Sequence, residues 1–259
     1  MAKLLVDVGN TRIKFAQSTP QRVGRMQAVA YRGVMRELAA ALMPVAGKVD
    51  EVVAVSVAGG AVESALQQTV ERVLRVPVRF IRSTTPAAGL QVGYAQPWRL
   101  GADRWVAVVG AHALAGGHRA VLVIDVGTAM TVDVATRAGL HLGGAIVPGP
   151  DLMVSSLLQE TRGIRVRAAK SPPGSQRGAA LFADNTRSAI DQGARYASAA
   201  FIERAVVEAR KTLGTRPRVF LTGGGAATLL PLLVTSVEHL PDLVLRGLAR
   251  FAHARAPSR

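Results

Sequence analysis

Apolar and polar positions along this chain follow a pattern that is used twice. Leu4, Leu5 and Val6 form an apolar run that leads into Asp7, Val8 and a Gly9-Asn10-Thr11 turn. Ile13, Phe15 and Ala16 then alternate with polar residues on the way back, which predicts a β-hairpin. Val121 to Asp133 repeats the design, with Asp125 in the place of Asp7 and Gly127 in the place of Gly9. A second motif is also paired. Val52 to Val57 reads as a strand entering the Gly59-Gly60 turn and a helix, and Arg218 to Thr222 leads in the same way into Gly223-Gly224-Gly225 and another helical run.

The pairing predicts an α/β protein of two similar domains made by internal duplication, residues 1–117 and 118–259, joined near Gly116-Gly117-His118-Arg119. Val62, Leu66, Val70, Val73 and Leu74 recur at helical spacing, as do Ile190, Ala194, Ala197, Phe201 and Ala205. The second of these helices is expected to start at the cap-forming cluster Asp184-Asn185-Thr186. Its small residues Gly193 and Ala197, expected to be exposed, suit either packing within the chain or close approach by a helix of a second copy. Ala168 to Gly178, with Ser171-Pro172-Pro173-Gly174-Ser175 inside it, reads as a loop or lid, and the tail from Ala254 as frayed.

Composition narrows the class. With 259 residues, 49% of them apolar and 19% charged, the chain can bury a substantial core. The absence of cysteine excludes disulfides, thiolate metal sites and a cysteine nucleophile, and suits a reducing compartment. Asp7 interrupts the first apolar run before a signal-peptide core forms, and no uncharged stretch is long enough to span a membrane, so a cytoplasmic address is expected. The net charge of +15 attracts polyanions. The arginines are scattered, however, and no basic strand carries interleaved aromatic residues for base stacking. Anionic small molecules are therefore the expected partners, ahead of nucleic acid.

Common phosphate motifs fail. Lys170-Ser171 and Lys211-Thr212 lack the upstream glycines of a P-loop, and Gly223-Gly224-Gly225 lacks the spacing of a dinucleotide fingerprint. The duplicated Asp-x-Gly hairpin remains. A turn through Gly9-Asn10-Thr11 offers backbone N–H groups and a hydroxyl to phosphate oxygens, Asp7 offers a carboxylate to hydrated Mg²⁺, and Lys14 adds positive charge. One such hairpin is often only a hairpin. Two copies with a separate glycine-rich turn describe an ATP cleft between domains. His112, His118, His141, His239 and His253 show no metal-ligand spacing and read as structural or surface residues. Ser56, Ser155 and Ser156 lack a nucleophile-elbow context.

Five segments together resemble the type III pantothenate kinases in order and spacing. They are Asp7 to Lys14, Gly101-Ala102-Asp103-Arg104, Asp125 to Asp133, Gly143 to Gly149, and Thr222-Gly223-Gly224. The resemblance implies the fold of the acetate and sugar kinase, Hsp70 and actin superfamily, two ribonuclease-H-like domains around ATP. It implies transfer of phosphate from ATP to pantothenate, the first step of coenzyme A biosynthesis, by a homodimer. Its first phosphate loop falls on Asp7, Val8, Gly9, Asn10, Thr11, Arg12, Ile13 and Lys14, with Asp7 toward Mg²⁺. Asp125 is then the expected ligand of a monovalent cation, K⁺ or NH₄⁺. Thr128 touches ATP, and Thr222, Gly223 and Gly224 lie against adenosine.

The same resemblance makes Gly101, Ala102, Asp103 and Arg104 the pantothenate site, with Asp103 as base and Arg104 toward the carboxylate. Tyr94 and Thr186 become further substrate contacts. On the residues alone, Asp103 is equally an acid placed to complement a helix start, and Thr186 equally a cap. Two positions depart from the family pattern: Ser56-Val57-Ala58-Gly59 replaces a Ser-Val-Val-Pro-like segment, and Met130 a smaller or β-branched residue.

Overall fold

The computed structural model describes residues 2–30, 35–87, 89–170 and 180–254. In chain order the elements are β1 (Ala2–Val8), β2 (Arg12–Ser18), β3 (Gln27–Ala30), α1 (Arg36–Leu42), β4 (Val49–Ser56), α2 (Gly60–Leu74), β5 (Val78–Phe80), β6 (Gln91–Val92) and α3 (Ala102–Leu114). There follow β7 (Val121–Val126), β8 (Ala129–Ala135), β9 (Leu140–Pro148), α4 (Pro150–Glu160), α5 (Arg162–Ala169), α6 (Thr186–Leu213), β10 (Arg218–Thr222), α7 (Ala226–Leu229), β11 (Glu238–His239) and α8 (Leu243–Ala252). Two compact units form: one from residues 1–121, 134–143 and 242–259, the other from 122–133 and 144–241. No helix among the described residues is long and apolar enough to cross a membrane.

The first sheet has the order β3-β2-β1-β4-β5. β1 pairs antiparallel with β2 and parallel with β4, and β4 pairs parallel with β5. The apolar runs of β1 and β4 reflect burial of both faces. On one face Leu4, Val6, Val8, Phe15, Val52 and Ala54 pack with Leu38 and Leu42 of α1 and with Leu66, Val70 and Leu74 of α2. Leu5, Val53 and Val55 alternate to the other face, where α3 and α8 pack, and are fully buried there.

The second sheet repeats the plan. Its order is β11-β10-β7-β8-β9-β6, so β9-β8-β7-β10-β11 takes the places of β3-β2-β1-β4-β5, and β6 is an addition beside β9. The expected α/β architecture of two ribonuclease-H-like sheets is present.

Some local expectations change. The inward stripe of α6 runs through Ala194, Ser198, Ile202, Val206 and Ala209, one position on from Ala197, Phe201 and Ala205, while Gly193 and Ala197 are exposed as expected. Ser198 tolerates burial because its hydroxyl donates to the Ala194 carbonyl at 2.8 Å. The helix after Gly225 is one turn, α7, followed by a 3₁₀ turn at Leu230–Leu232, where Pro231 withholds the N–H that a longer helix needs. Ala168 and Ala169 belong to the end of α5, and residues 171–178 of the expected lid lie outside the described residues, as does the tail beyond 254.

Close helix packing occurs where α3 crosses α8. A Cβ on Gly247 would stand 2.0 Å from the Val106 carbonyl oxygen, and one on Gly110 would stand 2.9 Å from the Leu243 carbonyl oxygen. These obstacles are backbone, which cannot swing aside. In the second unit Glu203 of α6 accepts from the N–H groups of Val234 and Thr235 at 2.7 and 2.9 Å and from the Thr235 hydroxyl. Burial opposes ionisation of Glu203, but these donors outweigh it and hold its carboxyl below the usual 4.5.

Gly247→Ala is expected to cost about 2 kcal/mol through overpacking, read as a lower urea midpoint at unchanged slope. A midpoint equal to wild type would mean that the two helices separate freely. For Glu203, a depressed carboxyl contributes stability that is complete above 4.5 and is lost as pH falls through the folded value. Glu203→Gln should lower stability at neutral pH and leave a shallower acid limb; an acid limb as steep as that of wild type contradicts the assignment.

Candidate active site

Three clusters of the residues singled out above take shape, each within one unit. Asp7, near the end of β1, is buried at 8% exposure and stands opposite Lys14 in the β1–β2 register. Cross-strand partners share a face with Cβ atoms about 5 Å apart, which puts the two side chains on the same side of the sheet. The connecting turn closes with Gly9 N–H donating to the Arg12 carbonyl at 3.1 Å. Asn10, Thr11 and Arg12 are exposed around it. The departing segment at 56–59 is adjacent: Ser56 pairs with Val8, and Val57 N–H donates to the Val8 carbonyl.

The second cluster lies at the start of α3, whose N-cap is Gly101. Asp103 is half-buried in the first turn, as expected, and its Oδ1 accepts from the Arg104 N–H at 2.8 Å. A Cβ on Gly101 would sit 2.7 Å from that oxygen, so glycine leaves the carboxylate its place. Arg104 is buried at 7% exposure. Its guanidinium donates to the Tyr94 hydroxyl at 3.2 Å and lies 5.9 Å from the Tyr94 ring centre. Burial of an arginine requires such partners, and the pair aims a planar cation at one spot.

The third cluster joins the other two glycine motifs. Asp125 near the end of β7 meets the β10 turn, where a Cβ on Gly223, at φ 96°, would stand 2.5 Å from Asp125 Oδ1. Gly225 N–H donates to the Val126 carbonyl at 2.9 Å. Thr128 and Gly224 are exposed beside them, whereas the Thr222 side chain is buried within β10. Gly149 N–H donates to the Thr128 carbonyl at 2.8 Å, a closeness that any Cβ there would block. Met130 is fully buried, so this departure lies in the core. Thr186 opens α6, but Asn185 is the cap, its side chain accepting from Ser188 N–H at 2.9 Å.

No group of three or more His, Asp and Glu among the described residues forms a metal cage. Asp7 and Asp125 instead offer single hard oxygen donors, the kind that bind a cation shared with phosphate oxygens. Sequence reasoning missed His141, which is fully buried and stacks on Tyr94. Its lack of metal-ligand spacing hid it, because stacking leaves no spacing signal.

A duplicated sheet with a carboxylate near the end of each first central strand is the fold expected of the acetate and sugar kinase, Hsp70 and actin superfamily. Comparison with known proteins agrees. A sequence profile of the type III pantothenate kinases matches residues 3–208. A type III pantothenate kinase of Nitrosococcus oceani is 37% identical over 254 residues, covering 96% of this chain and 93% of its own. Another, from Xanthomonas campestris, is 39% identical over 261 residues, covering 99% of this chain and 100% of its own. A solved structure described as an N-acetylmannosamine kinase, from Listeria monocytogenes, has a TM-score of 0.54 at 13% identity and covers 97% of this chain and 99% of its own, a likeness of fold alone. The chain belongs to the type III pantothenate kinase family.

Gly101→Ala tests the placement of the Asp103 carboxylate. The φ of −55° suits alanine, so stability should change by about 1 kcal/mol or less, while the added methyl displaces Oδ1. Pantothenate-dependent ADP release should fall about tenfold or more; full activity would show that the carboxylate position is immaterial.

Proposed function

We propose that the chain, an ATP-dependent pantothenate kinase by family, uses Asp103 as the base for the primary hydroxyl of pantothenate, giving 4′-phosphopantothenate at the entry to coenzyme A biosynthesis. The observation that carries this reading is the α3 start, where a half-buried carboxylate stands next to a buried guanidinium fixed by tyrosine. Arg104 and Tyr94 take the pantothenate carboxylate, a pairing that suits a planar donor fork, and Gly101, Ala102 and Thr186 complete the contacts. The hydroxyl oxygen bonds to the γ-phosphorus as its proton passes to Asp103, and the bond to the β–γ bridging oxygen breaks to release ADP. A carboxylate of ordinary basicity suffices, since the proton becomes acidic only as the phosphoryl group arrives.

Residues 7–14 cradle the phosphates, with Lys14 opposite Asp7 on the returning strand. Asp7 holds Mg²⁺, which neutralises phosphate charge when bound. Asp125 takes K⁺ or NH₄⁺, Thr128 touches ATP, and Thr222, Gly223 and Gly224 form the adenosine shelf, Thr222 through its backbone. We read residues 1–117 and 118–259 as the two copies of the duplication, and the cytoplasm as the compartment. A homodimer is supported by exposed apolar side chains along 142–166 and at 181–182, among them Ile146, Leu157, Val166 and Phe182, the last 88% exposed.

The test is a coupled ADP-release assay with and without pantothenate, in Mg²⁺ buffer containing K⁺ or only Na⁺. Turnover should need both pantothenate and K⁺ or NH₄⁺. Asp103→Asn should lower kcat about a hundredfold or more with ATP affinity within about threefold of wild type. Equal loss of ATP binding and stability would make Asp103 a helix-capping acid instead.

A further inference from the structure

Tyr94 is held by little of its own. It follows β6, a strand of two residues, and belongs to no helix. What pins it is β9: Gln91 and Val92 pair with Leu140 and His141, and Gln91 N–H donates to the Gly139 carbonyl at 3.0 Å. Gly93 comes so close to β9 that a Cβ there would stand 1.9 Å from the His141 carbonyl oxygen. Beyond that approach the His141 ring, fully buried, stacks on the Tyr94 ring with centres 5.8 Å apart and planes at 26°. Tyr94 in turn meets the buried Arg104 through its hydroxyl and its ring. A chain of contacts thus runs from a buried imidazole through a short loop to the guanidinium beside Asp103.

We propose that His141 is a positioning residue of the acceptor site: its ring fixes Tyr94, and Tyr94 fixes the direction of Arg104. The inference rests on the reading of Arg104 as the pantothenate-carboxylate partner. The ring works by stacking, which explains how a fully buried histidine serves the site without touching substrate. Aromatic pairs prefer such offset geometry, and a ring removed from beneath Tyr94 leaves the loop free to sample other rotamers. Tyr94 then spends only part of its time where it orders the guanidinium, so acceptor binding weakens while the nucleotide loops are untouched.

The experiment measures kcat and both KM values for His141→Ala, His141→Phe, Tyr94→Ala and the double variant Tyr94→Ala/His141→Ala, with Arg104→Gln as reference. His141→Ala is expected to raise the pantothenate KM about tenfold with the ATP KM within about twofold. His141→Phe, which keeps a ring in the same volume, should return the pantothenate KM to within about threefold of wild type. In the Tyr94→Ala background, His141→Ala should add nothing to the pantothenate KM, because its effect passes through the tyrosine. An unchanged pantothenate KM in His141→Ala overturns the proposal. So does a parallel rise in both KM values, a phenylalanine variant as poor as alanine, or full additivity in the double variant. If Arg104→Gln itself leaves the pantothenate KM unchanged, the carboxylate reading fails first; if it raises KM while His141→Ala does not, only the positioning role falls.

Discussion

The close crossing of α3 and α8 is the constraint on which the proposed acceptor site depends. Gly110 and Gly247 let the two backbones meet where any Cβ would strike a carbonyl or an amide. From Arg104 to His112 every residue of α3 is buried, so the helix has no freedom to slide or rotate. Its first turn, with Asp103 and Arg104, is therefore placed by packing a turn or two away. Helix α8 comes from the far end of the chain, which makes the candidate base dependent on residues more than a hundred positions downstream.

Glycine recurs wherever a carboxylate or a carbonyl needs room. Gly101 leaves space for the Asp103 carboxylate, Gly223 for that of Asp125, Gly149 for the turn at Thr128, and Gly93 for β9. The common logic is a rigid strand or helix end that presents backbone and one acid, with no side chain of its own in the way. Such places suit phosphate and cation chemistry, because N–H groups and a fixed carboxylate need no reorganisation when charge arrives. The surplus of arginine fits the same picture. Several arginines, such as Arg79, Arg82 and Arg218, are tied to glutamates, while Arg104 is buried and donates to the Tyr94 hydroxyl.

Much of this was legible in the chain. The Asp-x-Gly hairpins, the strand-to-glycine turns and the first turn of α3 all appear at the residues where pattern placed them, since each is encoded by neighbours within about fifteen positions. Less legible were features that depend on which face turns inward. The buried stripe of α6 lies one position on from the spaced apolar residues, at Ser198, Ile202 and Val206, and the serine hydroxyl is satisfied there by the Ala194 carbonyl. The single turn of α7 is set by Pro231, which leaves no mark on the hydrophobic period.

Hydrophobic period, turn glycines and acid placement act over short range, so the paired hairpins, the strand ends and the family of chemistry are readable from the chain alone. That α8 closes on α3, that Gly223 meets Asp125, and that a histidine without any motif stacks under Tyr94 emerges only in the folded molecule. Those contacts join residues dozens to more than a hundred positions apart. No local propensity encodes them: they arise when buried surfaces exclude water and the backbone comes as close as its glycines permit.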